Sequence, residues 1–250
     1  MRYKLTRMSR ITLTVLTTIF ATILALSIVW TLYYLWDIPI SSNAIKASII
    51  TPLVIAPLIA WYVFGILKEF EALEKKMRYL AEYDPLTGLL NRRAFEKKST
   101  EQFHQAKNSN NNLAILMLDL DHFKTINDRF GHAAGDLVLQ TLGDFLNQHN
   151  EHCYLIGRIG GEEFIILVSD KEAQVIDKFT DSLLERIREL KFKFEDSELQ
   201  ITCSIGLSCF NPKQNTTTVN ELIKEADKAL YQAKNSGRDK AIRFNEALFN

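Results

Sequence analysis

The sequence predicts an α+β domain with a mixed or antiparallel sheet, preceded by two transmembrane helices. Three observations carry that reading. Residues 11–36 and 47–67 hold no charged side chain, and each stretch is long enough to cross a hydrocarbon core of about 30 Å as a helix. Beyond residue 68, segments with strand-like and helix-like patterns follow in the order β-α-β-β-α-β, with flanking helices to be laid on one face of the sheet. Between two apolar runs, Cys153–Ile156 and Phe164–Val168, stands Arg158-Ile159-Gly160-Gly161-Glu162-Glu163-Phe164. A Gly-Gly pair in that position predicts a tight hairpin turn whose glycines adopt positive φ.

The first apolar stretch follows Arg2, Lys4, Arg7 and Arg10. It is too long for a signal peptide, and no small-residue cleavage site precedes its aromatic end at Trp30, Tyr33, Tyr34 and Trp36. A short connection, Asp37 to Lys46, returns the chain into the second span, after which come Lys68, Lys75, Lys76 and Arg78. The positive-inside rule therefore predicts a multi-pass membrane protein with both termini in the cytoplasm. Pro52 is expected in the first turn of the second helix. Pro57 is expected to kink it, either relaying a signal or simply accommodated.

Val63, Ile66, Phe70, Leu73, Met77 and Leu80 are spaced alternately by three and four residues. That is either a short dimerising seam or one amphipathic helix standing alone. Asp84-Pro85 ends it, because the residue before proline avoids the α region. The expected organisation is a two-helix membrane hairpin over 1–67, a linker helix over 68–83 and a cytoplasmic domain over 84–250.

Within that domain Asn91 is the expected N-cap of a helix running towards Lys107. Residues 113–120 form a nearly unbroken apolar run, the pattern of a buried central strand, ending in Asp119-Leu120-Asp121. An acid embedded in such a strand needs a partner, and a metal ion is the usual one, so Asp119 ranks above Asp121 as a ligand. The stretch 125–136 is rich in glycine and capping residues and precedes a helix over about 137–146. Asn127 and Asp136 serve there either as helix caps or, together, as readers of a guanine edge. A helix over about 173–190 follows, then a half-buried strand with Ile201, Cys203, Ile205, Leu207 and Cys209 on one face. The last helix covers about 219–234, and Gly237 stops it. Lys234 and Arg238 either complement that helix's C-terminus or neutralise a triphosphate.

Composition narrows the function. Five of the 30 basic residues and one of the 30 acidic residues precede residue 68, leaving 25 basic against 29 acidic in the remainder. A mildly acidic domain is a poor non-specific nucleic-acid binder, and no nucleic-acid partner is expected. The three cysteines form no CxxC pair, so zinc and dithiol chemistry are not indicated, and Cys203 and Cys209 are expected as small core residues. The acid turn has two readings: a hairpin and nothing more, or a turn whose glycines admit a ligand while Glu162 and Glu163 offer hard oxygens to Mg²⁺.

Four stretches in this order resemble the GGDEF family of diguanylate cyclases over roughly residues 82–245: Asp84-Pro85-Leu86-Thr87-Gly88-Leu89 with Asn91-Arg92-Arg93; Asp119 to Asp136; Gly160-Gly161-Glu162-Glu163-Phe164; and Lys234 to Arg238. The resemblance implies a fold like the palm of nucleotidyl cyclases and polymerases. It implies condensation of two GTP into cyclic di-GMP with release of two pyrophosphates. Mg²⁺ is the implied cofactor, with Mn²⁺ as a substitute. By position, Asp119 and Glu162 match the metal carboxylates, helped by the Leu120 carbonyl, and Glu163 matches a further metal or catalytic carboxylate. Asn127 and Asp136 match the guanine readers. Phe123 (through its backbone), Lys124, Lys234 and Arg238 match the phosphate contacts, and Gly160 and Gly161 the turn that receives the nucleotide.

One GTP per subunit requires a homodimer, because the two nucleophiles must meet across a two-fold interface. Many family members carry an Arg-x-x-Asp product-inhibition motif before the signature. Glu151 and Tyr154 occupy those positions here, so inhibition through that primary site is expected to be absent. The competing class is a non-catalytic sensor of GTP or cyclic di-GMP acting through protein contacts. The signal received by the membrane hairpin and the downstream effectors are not written in the sequence.

Overall fold

The computed structural model describes residues 9–37, 39, 41–148, 153–170, 172–195, 197–210 and 218–245. The chain divides into two units, Met1–Arg78 and Tyr79–Asn250. The first contains α1 (Arg10–Leu35) and most of α2 (Ser42–Glu82), two helices long and apolar enough to cross a membrane. Ser9 caps α1 by accepting from Thr12 N–H. The hydroxyls of Thr14, Thr17, Thr18 and Thr22 donate to carbonyls one turn back, so none of the four is left to seek water. Arg10 donates from Nε to the Trp61 carbonyl at 3.0 Å and lies over the Trp61 ring at 4.2 Å. Gly65 makes room for it, since a Cβ there would strike the guanidinium.

Helix α2 runs unbroken through Pro52 and Pro57, so the second span and the linker helix are one element. Pro52 is not in the first turn as the sequence suggests; α2 begins ten residues earlier, at Ser42, and Pro52 is interior.

The second unit is built on β2 (Asn112–Leu120), every residue of which after Asn112 is buried. β2 pairs antiparallel with β4 (Glu163–Asp170) on one side and β7 (Cys203–Phe210) on the other. β3 (Cys153–Arg158) joins beyond β4, and short parallel strands β1 (Leu90–Asn91) and β8 (Ala241–Arg243) close the edges. The order is β1-β3-β4-β2-β7-β8. Its four inner strands are the ferredoxin-like arrangement that the β-α-β-β-α-β order predicts. A separate hairpin, β5 (Phe192–Phe194) with β6 (Ser197–Leu199), was not legible in the sequence.

Helices cover both faces of this sheet, not one. Ala114, Leu116, Leu118 and Leu120 pack with α5 (His132–Gln148) and α6 (Ala173–Arg188), while Leu113, Ile115 and Met117 pack with α3 (Arg92–Ser109) and α7 (Val219–Asn235). An apolar run without alternation has two faces to bury, and a single helical layer covers one. β7 follows the same logic and is buried on both faces instead of half-buried. Cys203, Ile205 and Leu207 meet α5 and α6, whereas Ser204, Gly206 and Ser208 are small enough for the opposite face. Cys203 is fully buried and Cys209 partly so, both as free thiols; burial pushes the Cys209 thiol up to about 11 despite the nearby Arg243.

Helix ends follow the predicted chemistry. Asn91 caps α3 by accepting from Ala94 N–H at 3.0 Å. Thr218 and Glu221 form a reciprocal capping box on α7. α7 ends in a Schellman motif: Gly237 has φ +111° and Arg238 N–H donates to the Ala233 carbonyl at 3.0 Å.

Candidate functional site

The buried end of β2 delivers Asp119, 5% exposed, to the rim of the sheet. Its register partners are Glu163 on β4 and Ser204 on β7. Side chains directly opposite on paired strands share a face, so Asp119 and Glu163 lie side by side on the α7 side. From α7, Lys234 Nζ reaches Asp119 Oδ2 at 2.7 Å. Burial raises the Asp119 pKa above 3.8 as the largest influence; Lys234 and Arg238 pull it down, and Asp121 pushes it up. The carboxylate is therefore a desolvated charge with one lysine as its counter-ion.

Ile159 N–H donates to the Glu163 carbonyl at 3.0 Å, closing the turn Gly160-Gly161-Glu162. The Glu162 carbonyl accepts from Leu120 N–H at 3.4 Å, which holds the turn against the end of β2. Neither Gly160 nor Gly161 takes the left-handed φ that the sequence suggests. A Cβ at Gly160 would lie 2.5 Å from Glu163 Oε2, and beside Gly161 there is open space. Glu162 and Glu163 are both half-buried.

The turn is braced from behind by a residue whose role the sequence did not reveal. Arg158 donates from Nε and Nη2 to the Gly161 carbonyl (3.1 and 2.7 Å) and from Nη1 to Asp84 Oδ1 (3.0 Å). Asp84 also accepts from Thr87 N–H and Thr87 Oγ1. Burial alone would raise the Asp84 pKa, but these donors together hold it below 3.8. A depressed carboxylate contributes stability that is complete above its unfolded value and lost as pH falls through the folded one. Thermal melts from pH 7 downward should therefore show wild type losing stability steeply below about pH 4, with an Asp84→Asn variant less stable at neutrality and converging on wild type in acid.

Beyond Leu120, His122 (φ +57°) starts α4 (Phe123–Phe130), placing Phe123 and Lys124 in the first helical turn, where N–H groups point outward towards any anion. Gly131 (φ +83°) separates α4 from α5. Asn127 and Asp136 are therefore inside helices and cap neither; Asn127 accepts Gly131 N–H through its backbone carbonyl. A side chain at Gly135 would collide with Asn127 Oδ1, so Asn127 and the residue before Asp136 are in contact across the helix pair. Arg238 is exposed, and its charge acts on Asp119.

Among the described residues no three His, Cys, Asp or Glu side chains form a ready-made metal cluster. The donor set at the end of β2 nevertheless fits a hard cation that takes its remaining ligands from a phosphate chain: a buried carboxylate, a neighbouring acid turn and the Leu120 carbonyl. The structure thus brings together Asp119, Leu120, Glu162, Glu163, Gly160, Gly161 and Lys234. It sets Phe123, Lys124, Asn127 and Asp136 on the α4–α5 pair that follows β2. Glu151 and the Tyr154 side chain lie outside the described residues. A cavity of about 760 Å³ opens behind α4, lined by His122, Arg129, Arg188 and Asp239 among others, and reaches neither Asp119 nor the acid turn.

The fold and site together define a palm-type α+β domain with an acidic hairpin at the tip of its central strands. Residues 81–240 match the family model described as "Diguanylate cyclase, GGDEF domain", and the chain belongs to that family. It is 36% identical over 173 residues to the diguanylate cyclase DgcP of Pseudomonas aeruginosa, covering 69% of this chain and 25% of that protein. It is 32% identical over 175 residues to the cyclic di-GMP phosphodiesterase PdeR of Escherichia coli, covering 70% of this chain and 26% of that one. The chain thus spans about a quarter of the length of these curated relatives. Among solved structures, the active GGEEF domain of a diguanylate cyclase from Vibrio cholerae superimposes with a TM-score of 0.57 at 31% identity, covering 63% of this chain and 99% of that one. The diguanylate cyclase SiaD of Pseudomonas aeruginosa, solved with its activator SiaC, gives 0.61 at 30% identity, covering 74% and 70%.

Proposed function

We propose that this protein is a membrane-anchored diguanylate cyclase that condenses two GTP into cyclic di-GMP and two pyrophosphates. The observation that carries the reading is the pairing of Asp119 with Glu163 across β2 and β4, beside an intact Gly160-Gly161-Glu162 turn and the Lys234 ammonium. Asn127 and Asp136 read the guanine. The first turn of α4, with Phe123 N–H and Lys124, grips the triphosphate together with Lys234 and Arg238. Asp119, Glu162 and the Leu120 carbonyl would hold Mg²⁺, with Glu163 as a further acid. Bound there, Mg²⁺ would lower the pKa of the ribose 3′-hydroxyl and take up charge on the departing pyrophosphate. Lys234 is the internal counter-ion of Asp119 until the nucleotide arrives, and then turns to the phosphates.

Each 3′-hydroxyl attacks the α-phosphate of the other subunit's GTP, so two sites must face one another. The row Ile66, Phe70, Leu73, Met77 and Leu80 on α2 is exposed, and a second copy of the same helix supplies what covers it. The apolar helices hold the protein in the cytoplasmic membrane as a two-span hairpin over 1–67. The helical linker over 68–83 and the cyclase domain over 84–250 then lie in the cytoplasm with both termini.

The test is detergent-solubilised full-length protein given GTP and Mg²⁺, with cyclic di-GMP read by mass spectrometry beside a Glu162→Ala variant. Wild type should make product, and the variant at least about 100-fold less. A wild type that binds GTP and makes nothing, even when dimerised by a fused coiled coil, would instead establish a non-catalytic sensor.

A further inference from the structure

Asp121 follows Asp119 by two residues, is 5% exposed, and has no part in the reading above. Its carboxylate accepts three hydrogen bonds: Oδ1 from Ser204 Oγ at 2.7 Å, and Oδ2 from Thr202 Oγ1 at 2.8 Å and from Asp239 N–H at 3.0 Å. The third bond leaves the β2–β7 pair and enters the loop after α7. There Gly237, Arg238 and Asp239 have φ of +111°, +61° and +49°. Two consecutive non-glycine residues in the left-handed region do not stay there unaided.

Two groups hold them. Asp121 takes the Asp239 N–H, and Arg188 donates from Nε to Asp239 Oδ1 (2.7 Å) and from Nη2 to the Asp239 carbonyl (2.8 Å). Arg238 is caught between this anchor and its own N–H bond to Ala233, which finishes α7. Its direction is therefore set from both sides.

We propose that Asp121 is a positioning residue for the triphosphate: through Asp239 N–H it holds the Gly237–Asp239 loop, which carries Arg238, in its left-handed path. The inference rests on the assignment of Arg238 to a phosphate contact. Asp121 itself touches no substrate. Three donors from β7 and the loop after α7 already engage its carboxylate, whereas Asp119 pairs with Lys234, which separates the two acids of the same Asp-Leu-Asp segment.

The experiment is calorimetric titration of full-length protein in detergent with Mg²⁺ and inorganic tripolyphosphate. This probe engages the phosphate contacts without needing guanine recognition or turnover. Asp121→Asn preserves shape but presents an amide N–H₂ to hydroxyl and amide donors, and should weaken binding about tenfold, the scale of one charge-assisted contact. Arg238→Ala should weaken it similarly. The double variant should be no weaker than Arg238→Ala alone, because Asp121 acts through Arg238. Ser204→Ala removes one donor from the same carboxylate but spares the Asp239 bond, and should stay within about twofold of wild type.

Wild-type affinity in Asp121→Asn would overturn the proposal, as would losses that multiply in the double variant. Should Asp121→Asn fail to fold, Arg188→Gln at the half-exposed far end of the anchor carries the same test: weakened binding, and no added loss beside Arg238→Ala. A wild type that binds tripolyphosphate but makes no cyclic di-GMP sinks the cyclase reading and leaves this one standing. A wild type that does not bind it sinks the phosphate assignment, and this inference with it.

Discussion

Asp119→Asn should abolish cyclic di-GMP synthesis, by about three orders of magnitude or more, without lowering the melting temperature of the unliganded protein. The two halves of this result have one cause. Asp119 is an acid at the end of a buried strand, and burial raises its pKa more than any other influence. For a carboxylate with a raised folded pKa, stability is greatest below the unfolded value, near 3.8, and is lost as pH rises through the folded one. At neutral pH the ion thus costs stability, which Lys234 only partly offsets. Asparagine removes the charge, and Lys234, with 32% of its side chain exposed, can still reach water. The same substitution deletes the buried anion that would hold Mg²⁺. Melting curves at neutral pH and product analysis decide the matter together. A melting temperature several degrees lower with only a modest loss of activity would make Asp119 a structural partner of Lys234, not part of the reaction centre.

Gly206→Val should destabilise the cytoplasmic domain by about 4 kcal/mol, among the largest effects open to a single substitution. Gly206 lies in the middle of β7, opposite Met117 of β2. A Cβ there would collide with the Ala226 carbonyl and the Leu230 N–H of α7. These are backbone atoms of a helix packed along its length, so no rotamer change relieves the clash and α7 must move as a body. That movement carries Lys234 away from Asp119 and displaces the loop after α7 that bears Arg238. Denaturant unfolding of the full-length protein should show the midpoint falling. Whatever folded fraction remains should bind tripolyphosphate weakly, as expected of Arg238→Ala. Wild-type stability in the Gly206→Val variant would mean that α7 and β7 are not in this close contact.

Much of this was legible in the chain, and the parts that were not share a reason. The unbroken run 113–120 identified the central strand, and Asp119 stood out within it because an acid in such a run demands a partner. Asn91 and Gly237 announced their helix ends through local chemistry alone. The sequence was misleading wherever a residue answered to something distant. Gly160 and Gly161 read as positive-φ turn residues, yet neither takes a left-handed φ. Of the two readings open for Asn127 and Asp136, the capping one falls, because the break at Gly131 divides α4 from α5 and leaves both inside helices. The alternation of Ile201 to Cys209 read as one wet face. Ser204, Gly206 and Ser208 are instead small because a helix backbone needs the room. Arg158 and Arg188 gave no signal, and Asp121 gave only that of a lesser ligand, because what each holds lies far along the chain or in a turn carbonyl.

By itself the sequence determined the two apolar helices, the β-α-β-β-α-β core and the four motifs that mark the family, since periodicity, capping and residue type are properties of neighbours in the chain. Only the tertiary structure decided that both faces of the sheet are covered and that Asp119 faces Glu163 across the central pair. It alone showed that Lys234 neutralises Asp119, and that Asp121 serves the loop carrying Arg238. Those facts depend on register and on contacts between residues up to 118 positions apart, as in the bond between Asp121 and Asp239. Such contacts form because buried polar groups must find partners wherever the fold brings them, and local pattern carries no record of where that will be.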